Sequence, residues 1–141
     1  MRDSQAELSD RTTTFDGNLD RRDNPVSELD QSIIDDLLVL GGSELLDELA
    51  TLCCEDITRA TRELDQGLTD NDAPAVVRAA HSIAGVSAGI GATRLSDIAR
   101  KLEKAARPGD LVDAGVLRVE LVACWGQVLR ALEELTVRNV G

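Results

Sequence analysis

Residues 72–110 read DAPAVVRAAHSIAGVSAGIGATRLSDIARKLEKAARPGD, and the reading of this stretch sets the fold. Asp72, with Pro74 just inside, makes a good start for a helix that runs to about Ala88. Gly89-Ile90-Gly91 forms a tight turn. A second helix covers about Ala92 to Arg107, with Leu95, Ile98, Ala99, Leu102 and Ala106 on one side. Pro108-Gly109 then breaks it. Two helices joined by so short a connection must lie antiparallel.

The flanking segments carry the same spacing. Upstream, Asp30 can cap a short helix bearing Ile33, Ile34, Leu37, Leu38 and Leu40, which Gly41-Gly42 stops. Ser43 can cap a longer one, whose apolar positions Leu46, Leu49, Cys53, Ile57, Ala60 and Leu64 step by three and four until Gly67. Downstream, Asp110 opens a last helix with Leu117, Leu121, Cys124, Val128, Leu132 and Leu135. The expected architecture is all-α: an antiparallel up-down four-helix bundle over residues 28–141 with a short extra N-terminal helix. Residues 1–27 are polar, charged and aperiodic, and read as a disordered tail.

Composition narrows the function. The chain has 141 residues, enough for one core, and its aromatics are Phe15 and Trp125 alone. An aliphatic core favours helices over a sheet and leaves no stacking platform for single-stranded nucleic acid. The formal net charge of −11 repels a phosphate backbone, so no nucleic-acid partner is expected. No stretch approaches the roughly 18 consecutive apolar residues of a membrane span. The opening residues lack the apolar segment of a signal peptide, so a cytoplasmic location is expected. Cys53, Cys54 and Cys124 fall at apolar helix positions and read as buried reduced thiols. With one histidine and no C-x-x-C, no metal site is expected.

That histidine, His81, sits about 200° around its helix from the core-facing Ile83 at ~100° per residue. Its companions on the exposed face are Pro74, Arg78, Gly85 and Ala88. A nucleophilic imidazole is thus flanked by an arginine one turn before it and by bare backbone one turn after it. Glycine inside a helix costs ~1 kcal/mol against alanine, and close approach of a partner is a reason to keep Gly85. Charge agrees. Residues 29–73 hold twelve acids with Arg59 and Arg62, whereas residues 74–107 hold Arg78, Arg94, Arg100, Lys101, Lys104 and Arg107 against Asp97 and Glu103. Such cations would stabilise a phosphorylated imidazole and steer the surface towards a carboxylate-lined partner.

The segment resembles the signature of histidine-containing phosphotransfer (HPt) domains. The matching residues are Ala80-His81, Ile83, Ala84, Gly85, Ile90-Gly91-Ala92, Leu95 and Leu102-Glu103, and the similarity extends over roughly residues 29–137. The resemblance implies a four-helix bundle whose His81 accepts a phosphoryl group from a receiver-domain aspartate and passes it to another receiver. It implies no cofactor of the chain's own, since the receiver brings Mg²⁺. It implies response-regulator receivers or a hybrid histidine kinase as partners, and a phosphoryl carrier rather than a kinase. By the same resemblance Glu103 hydrogen-bonds the imidazole, and Arg107 can reach the same site. Ala84 stands where the family usually has a lysine that helps neutralise the phosphoryl group, and Arg100, Lys104 or Arg107 would substitute for it from the next helix. Ala84, Gly85 and Ala88 are expected to keep the docking surface low.

Blander readings compete. A lone histidine on a bundle helix is more often structural than reactive, and a basic stripe is often only a solvated face. The alternative function is a non-catalytic module of the same fold that docks and regulates a receiver or histidine kinase. A plain scaffold or dimerisation bundle is a third possibility, which leaves the small residues around His81 unexplained.

Overall fold

The computed structural model describes residues 28–140, with side chains as far as residue 136. The disordered-tail reading of residues 1–27 lies outside the described residues. Four helices make up the fold: α1 Gln31–Thr69, α2 Ala73–Gly89, α3 Thr93–Ala106 and α4 Val112–Val140. Each packs on its sequence neighbours, and α1 also meets α4, which closes the bundle. Its interior is aliphatic: Leu46, Ile57 and Leu64 of α1, Val76 and Ile83 of α2, Leu95 and Leu102 of α3, and Leu121 and Val128 of α4 are fully buried. Each such side chain contributes roughly 1.5–3 kcal/mol on leaving water.

Helix ends follow the capping chemistry of the sequence. The Asp30 carboxylate accepts hydrogen bonds from the Ser32 amide (3.0 Å) and hydroxyl (2.7 Å). Those bonds hold its pKa below the usual carboxylate value. Asp72 accepts from the Ala75 amide at 3.2 Å, and Asp110 from the Val112 amide at 3.0 Å.

Within α1, Gly42 alone leaves the helical region, with φ 68° and ψ −163°, so the element is two helical pieces, residues 31–41 and 43–69, that meet at a kink. The break falls at the Gly41-Gly42 pair, where the sequence reading ends its short N-terminal helix.

Long-range polar contacts fix the frame around α2 and α3. Gly91, at φ 84°, turns the chain between them, and its carbonyl accepts from the Asp30 amide at 2.7 Å. Arg94 reaches Glu28 (3.6 Å) and the Gln127 side-chain oxygen (3.0 Å). Arg118 grips both oxygens of Asp65 at 2.8 and 2.9 Å, tying α4 to α1, and this partner raises the pKa of Arg118. Cys53 and Cys124 are buried free thiols, and burial pushes them up to about 12 and about 11. Cys54 is half-buried and shifted in the same direction, first by burial and then by Glu133 and Glu55. Among the described residues no helix is long and apolar enough to cross a membrane.

Candidate functional site

The middle of α2 presents His81 outward, with 77% of its side chain exposed. Core-facing Ala80 and Ile83 are fully buried on either side of it in sequence, so the helix itself aims the imidazole at solvent. Pro74, Arg78, Gly85 and Ala88 share that exposed side. A Cβ added to Gly85 would meet no atom within 4 Å. No neighbour inside the molecule therefore requires glycine there.

From α3, Glu103 faces the imidazole. Its two carboxylate oxygens lie 3.4 and 3.3 Å from His81 Nδ1. The Glu103 side chain is only 12% exposed, and Arg107 Nη2, one turn on, donates to Oε2 at 2.6 Å. Arg107 fixes the carboxylate, and the carboxylate orients the ring. The tautomer that donates from Nδ1 leaves the lone pair of Nε2 outward. The site can therefore offer solvent an unprotonated ring nitrogen whose direction is set from behind.

The remaining candidates divide between two sides. Arg100 and Lys104 are exposed on α3, and neither forms an ion pair among the described residues. Arg78 instead lines a cleft of about 480 Å³ with Glu63, Asp70 and Asp72, on the α1 side of α2. The structure does not bring it together with the α3 cations.

Ala84 requires a correction. It is 3% exposed and belongs to the core, so its side chain forms no part of a docking surface. Three residues beyond His81, it is rotated ~60° around α2, towards α3. There Ser96 Oγ donates to the Ala84 carbonyl at 2.9 Å. The same hydroxyl accepts from Arg100 Nε at 3.4 Å. Sequence reasoning missed Ser96, although a serine between Leu95 and Ile98 on an apolar face is a signal of a buried polar contact.

A family model described as the Hpt domain matches residues 44–136. The chain belongs to the Hpt-domain family. Among solved structures, this Hpt domain is similar to histidine-containing phosphotransfer protein B from Pseudomonas aeruginosa PAO1, with a TM-score of 0.74 and 27% identity over 79% of this chain and 96% of that one. No curated protein gave a match. The match places the chain in two-component signalling, and it spans α2 and α3, on which His81 and Glu103 stand.

Proposed function

We propose that His81 is a phosphoryl carrier in a two-component phosphorelay, acting in the cytoplasm between receiver domains. The observation that supports this best is the exposed imidazole whose Nδ1 is held against Glu103, so that Nε2 faces a partner. In the transfer step the Nε2 lone pair attacks the phosphorus of a receiver aspartyl phosphate in line. The N–P bond forms as the carboxylate-oxygen–phosphorus bond breaks, and the aspartate leaves as carboxylate. Receiver-bound Mg²⁺ supplies charge neutralisation at the transferring group. His81 is the nucleophile, and Glu103 and Arg107 keep its ring in one orientation. Gly85 and Ala88 let the receiver approach α2 closely, and exposed Arg100 and Lys104 on α3 supply the local positive field that draws it in. The reverse step delivers the group to a second receiver.

The test is transfer from a phosphorylated receiver to the wild type and to His81→Gln. The expected result is an acid-labile, alkali-stable label on the wild type alone. Equal labelling of both proteins would refute the proposal.

Ala84 favours a second reading, a module that docks a receiver or histidine kinase and regulates it without turnover. That reading predicts receiver binding with no label on either protein, and regulation that survives His81→Gln.

A further inference from the structure

The inward face of α4 is core, and its outward face over the first four turns is apolar as well. Val112, Val116 and Val119 are 72%, 68% and 66% exposed. Exposed Ala123 and partly exposed Gly126 continue the row. The steps between these five are four, three, four and three, the repeat of a helix seam. Exposed Asp113 and Glu120 border the stripe on one side, and a charged side chain next falls on it at Arg130. A helix apolar on both faces is normally covered on both.

The glycines reinforce this. A Cβ added at Gly115 or Gly126 would meet nothing within 4 Å, so neither is required by packing within the molecule. Both weaken a helix relative to alanine. An external helix approaching closely gives them a purpose.

We infer that α4 is a homodimerisation surface, on which a second copy of this chain packs its own α4 antiparallel about a two-fold axis at Val119. Taken with the adjoining Gly115 and Val122, the row is complementary to its own reversal. With residue i opposite residue 238 − i, Val112 faces Gly126, Gly115 faces Ala123, Val116 faces Val122, and Val119 faces itself. Large meets small at both ends, as an isologous contact requires. Charge selects the same direction. Asp110 and Asp113 flank the start of the helix and Arg130 follows the stripe, so the antiparallel arrangement brings Arg130 of one copy towards Asp110 of the other. A parallel pair would set acids against acids. The chain's first 27 residues suit the face poorly, because their few apolar residues are scattered without helical spacing.

The stripe is about 21 Å long at ~1.5 Å per residue. A single helix pair buries less than the ~800 Å² per partner of a standard interface, so the dimer is weak. His81 stays free in it, since α4 packs on α3 and α1.

Sedimentation of the full chain up to about 1 mM should show the mass rising towards a dimer for the wild type, an interface of this small size needing such concentrations. Val119→Glu should remain a monomer with an unchanged melting temperature and unchanged labelling of His81. Direction is read by a short bifunctional thiol cross-linker in a Cys54→Ser background. Val119→Cys should link to itself, Val112→Cys should not, and Val112→Cys mixed with Gly126→Cys should. A wild type monomeric throughout, as expected if a different protein covers this face, overturns the inference. So does self-linking of Val112→Cys, which would mark a parallel pair.

Discussion

Gly67 and Gly85 lie on adjacent helices and answer to opposite sides of the protein surface. A Cβ on Gly67 would come within 2.9 Å of the Val76 side chain and 3.2 Å of its amide, so α1 and α2 touch there because the residue is glycine. A Cβ on Gly85 would enter open space beside His81. The first is explained by the fold. The second weakens α2 with no internal return, and its explanation must come from outside. A glycine is thus diagnostic of a partner only when the molecule itself leaves room for a side chain.

Substitutions at the two positions should separate cleanly. Gly67→Val forces apart backbone and side chain at the α1–α2 contact and should lower unfolding free energy by roughly 2–3 kcal/mol, read by urea denaturation. Gly85→Leu should leave stability equal to or above the wild type, yet slow phosphoryl transfer from a receiver by about tenfold, equivalent to ~1.4 kcal/mol of lost docking or positioning. A fall in stability at Gly85 with normal transfer would abolish the contrast.

Two further variants sharpen it on the α3 side. Glu103→Ala frees the imidazole from its orienting carboxylate, and about a fivefold loss in transfer rate is expected, with Glu103→Gln retaining most of the activity. Ala84→Lys adds a cation beside Arg100, and the half-life of chemically phosphorylated His81 should rise by roughly two- to threefold. An unchanged half-life would show that the α3 cations already suffice. Because Ala84 is buried, the lysine must run its stem out along α2 to reach solvent.

The parts of the molecule governed by local chemistry were legible in the sequence. Asp30 and Asp72 cap their helices, the three-and-four spacing finds the core, and His81 emerges on the exposed side of α2 because helical geometry alone decides it. What required the neighbouring helix was not legible. Ala84 lies on the shoulder of α2, where a small rotation decides between surface and core, and only the approach of Ser96 places it inside. The Arg118–Asp65 pair joins residues 53 apart in sequence, and no local pattern announces it.

The placement of His81 and Glu103 on consecutive helices, with the Gly91 turn between them, bears on how the protein comes into being. Contacts between neighbours in sequence need little loop closure, and bundles built from them fold in microseconds to milliseconds. Bringing His81 against Glu103 therefore costs the chain little loop-closure entropy, and the site is assembled by a contact that is local along the chain.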